Sequence, residues 1–537
     1  MTSRYDDLAT QWIACDVLKW SLSEPADRRF LLVTGLFCVI ASVALSLWAI
    51  YTDPIINNDG VAYVRQSGLL ADGQWSIAFA DWKWPFYPFL MMLVSAVLPL
   101  PYDVIPGVTF KAAGHLINTV CISLVVVLFV AVTRALGGQS RRLTILAAIV
   151  ALAHPAFNEY RSFLIRDPGF LAAYLAALYC LLLCRTHSSW RPRIAVLVLL
   201  LIASLFRIEG VLFLLMSPVL FVLLRGDGVK RNWSIMILAT VALLGGGLVM
   251  AWWILVPDGT LSFSSVLNQP LKVILTTWEQ ISTALSAKVH LLRETFLSRY
   301  SADDVYVLFG LIVVAIVGSA VLSELTVPFA VLAVYGYTSR LCFADRGHRQ
   351  IWLALLAINL LILLGFVLFR GELLAPRYLL TMSVTALLAV PFVLERLLRR
   401  IRWNDVKGWR LVLSVIVLLW VAGESINGIN NPTRKLHLRD AGLWLQPYTG
   451  ETGSLVTNDR RILYYAGRWS DRTHVELKLA QLLQGLDQER WSTPRFTAIR
   501  LKDGQQAAGV IDAIGHEPIE RFNNNRGDRV LIFAMRR

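Results

Sequence analysis

Apolar runs long enough to cross a bilayer recur along this chain, and they restrict it to one class of fold. A membrane-spanning helix needs about 20 consecutive apolar residues. Runs of that kind lie near 30–51, 110–133, 143–157, 169–184, 194–206, 210–224, 233–256, 305–323, 350–369, 379–394 and 411–426. Composition agrees: 56% of the 537 residues are hydrophobic and 16% charged, with mean hydropathy +0.57, where a soluble domain carries about 25% charged residues. The expected fold is an all-α polytopic membrane protein with about eleven transmembrane helices. The string of soluble domains that this length would otherwise suggest is excluded.

Basic residues orient such a chain, because cytoplasmic loops retain them. With the N-terminal segment 1–29 in the cytoplasm, segments 134–142, 185–193, 225–231, 340–349 and 396–410 join it and together hold 22 Lys and Arg. The outer loops 52–109, 158–167, 207–209, 257–304 and 370–377 hold 11, although they are longer in total. Arg28 and Arg29 precede the first run without a small-residue cleavage site, which reads as an uncleaved signal anchor. The net charge of +14 follows from these flanking residues. With no zinc finger, RNA-binding signature or basic coiled coil, the partner is the lipid bilayer and no nucleic acid is expected.

Two stretches resist this scheme. Phe86–Leu100 is short and carries Pro88 and Pro99, so it reads as interfacial. The stretch 305–343 is too long for one helix, and Thr326–Phe343, broken at Pro328, reads as re-entrant; thirteen crossings stay open. A transmembrane domain over 30–426 is then followed by an outer domain over 427–537. There, amphipathic helices near 436–446, 474–484 and 505–514 alternate with strands Ser454–Thr457, Arg495–Leu501 and Arg529–Ala534, the pattern of a small α/β unit. None of the six cysteines lies in that domain, so no disulfide framework is implied.

Four polar clusters interrupt the apolar pattern, all on the outer face. The first loop reads Asn57-Asn58-Asp59-Gly60-Val61-Ala62-Tyr63 and later Lys83-Trp84-Pro85-Phe86. A carboxylate just beyond a span is partly desolvated, which makes Asp59 a candidate general base; Asn-Asn-Asp-Gly is also ordinary turn chemistry, the reading that spacing alone favours. The second loop carries Glu159, Arg161, Arg166 and Asp167, and Asp167 is either catalytic or the cap of the helix opening at Pro168. Arg207 and Glu209 form the third cluster, where they either serve a site or simply pair. Arg370, Glu372, Arg377 and Tyr378 form the fourth. Lys111 and His115, one turn apart at the outer end of the second span, either join them or face a polar bundle interior, or, for Lys111, snorkel. Acids that accept a proton beside cations that hold a phosphate suit chemistry on a lipid-borne phosphate substrate. No Walker loop, dinucleotide fingerprint, HExxH or GxSxG is present, and the eight histidines show no ligand spacing. No metal site or cofactor is indicated, although a divalent metal is compatible with the clusters.

Taken together, Asn58-Asp59-Gly60-Val61-Ala62-Tyr63 after a single span, Lys83-Trp84-Pro85-Phe86, Arg166-Asp167-Pro168 and Pro376-Arg377-Tyr378-Leu379-Leu380 resemble the GT-C glycosyltransferases. Within them, the sequence is similar to the protein O-mannosyltransferase-like and lipid A aminoarabinose transferase families. The resemblance implies a bacterial cytoplasmic-membrane enzyme that moves a sugar, with inversion, from a polyprenyl-phosphate donor to a glycan, lipid or protein acceptor outside. It implies Asp59 and Asp167 as the catalytic acids, and Lys83, Arg166, Arg377 and Tyr378 at the donor phosphate. Asn58, Tyr63, Lys111, His115, Glu159, Arg207 and Glu209 are supporting candidates. This chain departs from the family pattern at Trp84, where a proline is usual, and at Gly60, where an acid is usual. The rival class is a secondary transporter, or a lipid-sugar flippase or polymerase. A transporter places its charges at mid-membrane within inverted repeats, whereas here the charges sit at span ends and no repeat is evident.

Overall fold

The computed structural model describes residues 25–81, 85–97, 107–137, 139–186, 190–223, parts of 279–297, 304–339, 346–370, 375–402, 408–429, 435–448, 455–469, 479 and 495–534. The run expected at 233–256, Lys83 and Glu372 lie outside the described residues, as does nearly all of the helix expected at 474–484.

The chain enters through α1 (Pro25–Thr52), and the first loop then folds into three helices: α2 (Asn58–Ala71), α3 (Trp75–Asp81) and α4 (Phe86–Val97). The 12 residues of α4 extend about 18 Å, well short of a hydrocarbon core of about 30 Å. Next come α5 (Val108–Ala135), α6 (Arg141–Ala153), α7 (Pro155–Glu159), α8 (Asp167–Thr186), α9 (Arg191–Phe206) and α10 (Glu209–Leu223). Beyond the gap lie α11 (Val305–Leu325), α12 (Val327–Thr338) and α13 (Arg346–Arg370). A 3-10 turn at Pro376–Leu379 leads into α14 (Leu380–Leu387) and α15 (Val390–Arg402), followed by α16 (Trp409–Ile429). Among the described residues six helices are long and apolar enough to cross a membrane, or seven if the bent pair Pro376–Leu387 and Val390–Arg399 counts as one span.

Local chemistry sets the breaks. Ser140 Oγ accepts the Leu143 amide at 3.0 Å to start α6 and donates to Glu395 at 2.6 Å, tying that helix to α15. His154 ends α6, caps α7 through Nδ1, and its Nε2 lies 3.1 Å from the Leu325 carbonyl at the end of α11. Thr326 separates α11 from α12 at φ 57°, a positive φ that a β-branched residue adopts only under constraint. In the bundle, α8 packs between α5 and α9, with Ala172, Ala173 and Ala177 allowing close approach around buried Tyr174 and Leu175. Large apolar side chains on α1 and α16, such as Phe37, Leu47, Val412 and Leu419, face outward as a lipid-contacting surface does.

The C-terminal part contains α17 (Leu436–Leu445), β1 (Leu455–Thr457), α18 (Arg460–Tyr465), β2 (Phe496–Leu501), α19 (Ala508–Ile514), β3 (Glu520–Asn523) and β4 (Arg529–Ala534). The sheet order is β1-β2-β4-β3, with β1 and β2 parallel and the other pairs antiparallel. The three expected strands appear within a residue of their expected bounds. Strand β3 and helix α18 were not expected: β3 alternates half-buried and exposed residues in a charged sequence, and α18 spans only six residues.

Candidate active site

The site grows out of the short extended segment between α1 and α2. Asn57 precedes α2, yet its side chain does not cap that helix. Instead Asn57 Oδ1 accepts the Leu164 amide at 2.8 Å and Asn57 Nδ2 donates to the Leu164 carbonyl at 3.1 Å, so the first and second loops are clasped as two strands would be. Gly60 is needed for this approach. A Cβ there would lie 2.7 Å from Asn57 Oδ1 and 3.0 Å from Leu164 Cβ. Gly60→Ala is expected to force the loops apart and destabilise the protein by about 1–3 kcal/mol, read as a lowered unfolding midpoint in detergent; an unchanged midpoint would show that the clasp yields freely.

Asp59 follows in the first turn of α2, where the helix N-terminus favours a carboxylate. Its Oδ2 accepts a hydrogen bond from Arg377 Nη1, with side-chain exposures of 28% and 33%. The pair lies on the wall of a cavity of about 270 Å³ whose lining also includes Asn58, Glu159, Tyr160 and Phe163. Glu159 is exposed on that wall, whereas Tyr160 is buried. Burial pushes the Tyr160 hydroxyl well above its ordinary range; Glu324, Glu159 and Asp167 add to this and Arg377 opposes it.

A second ionic group lies deeper. Arg207 Nη1 donates to Asp167, while Arg207 Nε and Nη2 fork onto Glu209, the first of these at 3.1 Å. The side chains of Arg207, Asp167 and Glu209 are only 5%, 5% and 9% exposed. Burial alone would lower the proton affinity of Arg207, but the two carboxylates more than offset it and raise the pKa beyond its ordinary value. The two ionic groups meet at Tyr378, whose ring centroid lies 5.1 Å from the Arg207 guanidinium carbon and 5.4 Å from that of Arg377. Phe366 stacks on the same ring at 4.8 Å. Residues from all four loops thus converge.

The remaining candidates take other places. Arg166 is half-buried beside Asp167. Tyr63 is a core residue, 2% exposed and edge-on to Tyr87 at 5.1 Å, with its hydroxyl pKa raised by burial. Lys111 donates to the Pro54 carbonyl at 2.8 Å, and the buried Nδ1 of His115 has no hydrogen-bond partner among the described residues. Arg161 is fully buried and bonds Ser42, Ser46 and Asn158, which joins the second loop to α1. Among the described residues, no group of three or more His, Cys, Asp or Glu side chains is placed to hold a metal ion. Sequence reading passed over the clasp of Asn57, the cavity wall at Tyr160 and Phe163, and Tyr465, whose hydroxyl reaches this loop from α18.

No protein-family model and no curated protein matches the sequence. Solved structures do. An oligosaccharyltransferase from Archaeoglobus fulgidus, crystallised with a tethered acceptor peptide, is similar over 86% of this chain and 68% of its own, with TM-score 0.51 and 11% identity. ArnT from Cupriavidus metallidurans bound to undecaprenyl phosphate aligns over 92% and 97% of the two chains, with TM-score 0.46 and 13% identity. Its apo form aligns over 93% and 98%, with TM-score 0.37 and 14% identity. At such identity the likeness to the oligosaccharyltransferase speaks for the fold alone: over most of its length this multi-pass membrane chain is folded as that protein is.

Proposed function

We propose that the chain is an inverting glycosyltransferase that moves a sugar from a polyprenyl-phosphate donor to an envelope acceptor on the outer face of a bacterial cytoplasmic membrane. In this reading the membrane domain, 30–426, carries the site, the N-terminus is cytoplasmic and the domain 427–537 lies outside. The observation that carries the reading is the meeting of Asp59 with Arg377 on the wall of one cavity between the first, second and last loops. A sugar on a phosphate already has a good leaving group, so the protein's tasks are to place the acceptor, take its proton and hold the departing anion. Asp59 takes the proton of the acceptor hydroxyl as that oxygen bonds to the anomeric carbon. The bond from that carbon to the phosphate oxygen breaks on the opposite face, and the polyprenyl phosphate leaves with the electron pair. Arg377 pairs with that phosphate, supported by Lys83 and Arg166. Asp167 and Glu209 act through Arg207, which holds the Tyr378 ring against Arg377.

The test is mass spectrometry of envelope glycans and glycoproteins from a deletion strain complemented with the wild-type or the Asp59→Asn chain. The expected result is a glycoform that the wild type restores and the variant does not; restoration by both sinks the role of Asp59. Arg377→Ala and Lys83→Ala are expected to raise the apparent donor KM by about ten- to a hundredfold, the value of one lost charge-assisted bond, with the acceptor KM little changed. Unchanged donor KM in both variants refutes the phosphate assignment.

A further inference from the structure

The first loop is held from the C-terminal part of the chain, which supplies none of the residues assigned to the reaction. Helix α18 is capped by Asp459, whose Oδ1 accepts the Arg461 amide at 3.0 Å. It ends at Gly467, φ 74°, with Gly467 N donating to the Tyr464 carbonyl and Arg468 N to the Leu463 carbonyl at 2.8 Å. That turn brings two side chains onto the first loop. The Tyr465 hydroxyl accepts the Ile56 amide at 3.0 Å and donates to the Pro54 carbonyl at 3.3 Å. Trp469 lies over two glycines: a Cβ at Gly68 in α2 would sit 2.6 Å from Trp469 Cη2, and one at Gly107 would sit 3.1 Å from Cε2. Tyr465 is backed in turn by α17, where a Cβ on Gly442 would meet Tyr465 Cβ at 2.5 Å.

We propose that the C-terminal domain is a positioning element of the transfer site, with Tyr465 and Trp469 splinting α2 so that Asp59 is presented to the cavity. Pro54–Asn57 is the chain immediately ahead of Asp59, and Ile55 and Ile56 are buried, so no solvent stands ready to replace the Tyr465 hydroxyl there. Trp469 grips the same helix at Gly68, beyond its midpoint. One small unit therefore fixes the approach to α2 and its far half. A displacement of about 1 Å at a reacting group is enough to slow catalysis severely. The catalytic meaning of the splint rests on the glycosyl-transfer reading above, but the splint itself does not.

The test uses the full chain carrying Tyr465→Phe. Amide exchange over residues 54–71 is expected to quicken about tenfold, while exchange in α8 and the sheet stays as in the wild type. In complemented membranes, turnover per folded molecule is expected to fall about tenfold with the donor KM unchanged. Unchanged exchange over 54–71 overturns the splint whatever the reaction is. Faster exchange with full turnover overturns the positioning role. Should Tyr465→Phe fail to fold, the Gly68–Trp469 contact decides. Gly68→Ala is expected to lower turnover and Gly68→Ala with Trp469→Phe to restore most of it, because the smaller ring vacates the space; a double variant no better than Gly68→Ala refutes the proposal. Absence of any glycoform restored by the wild-type chain would instead remove the transfer reading and leave the exchange result standing.

Discussion

Asp59→Asn is expected to insert and fold like the wild type and to lose transfer activity by about two to four orders of magnitude, the usual contribution of a positioned base. The substitution is nearly isosteric, and its amide oxygen still accepts from Arg377, so the tie between α2 and the last loop survives. What disappears is a group able to take a proton. The measurement is turnover in complemented membranes, normalised to folded protein, with the unfolding midpoint as control. Loss of activity with an unmoved midpoint assigns the chemistry to the carboxylate. Turnover above about a tenth of wild type would place the base elsewhere, and Glu159, on the same cavity wall, would be the next residue to replace.

The largest expected effect on stability is at Arg207. Its removal leaves Asp167 and Glu209 as two buried carboxylates without their cation, and breaking a buried ionic group in this way costs about 3–5 kcal/mol. Arg207→Ala should therefore unfold at markedly lower denaturant or temperature in detergent. Arg207→Lys should recover only part of the loss, because an ammonium can neither fork onto Glu209 nor lie flat on the Tyr378 ring. The mechanism predicts a rescue: Asp167→Asn with Glu209→Gln, added to Arg207→Ala, should raise the midpoint again. A triple variant no more stable than Arg207→Ala would mean that packing, not unpaired charge, is what Arg207 supplies.

The membrane class and the polar clusters were legible because both are written in local runs: twenty apolar residues in a row, or Arg beside Asp before a proline. Strands of the C-terminal domain could be read for the same reason, since Arg529–Ala534 is an apolar stretch between charged ends. What pairs with what could not be read. Asp167 and Asp59 look alike in sequence, each an acid opening a helix, yet one is locked between Arg207 and the bundle while the other faces a cavity. Only the packing of α8 against α9 and α10 makes that difference. Asn57 reads as a turn former, and its pairing with Leu164 spans 107 residues. Tyr465 has no local signal at all, because its partner Ile56 lies 409 positions away and contributes only a backbone amide.

Those separations also bear on biogenesis. The Arg207 group closes within a few dozen residues of synthesis, since Asp167 lies only 40 positions before it. Asp59 emerges from the ribosome long before Arg377, 318 residues downstream, and longer still before Tyr465. Because chains assemble from the N-terminus as they are made, the nascent protein carries a finished anchor and an unfinished centre for most of its translation. A chain cut short before residue 465 therefore lacks the hydroxyl that braces its first loop, however well the earlier ionic anchor has formed.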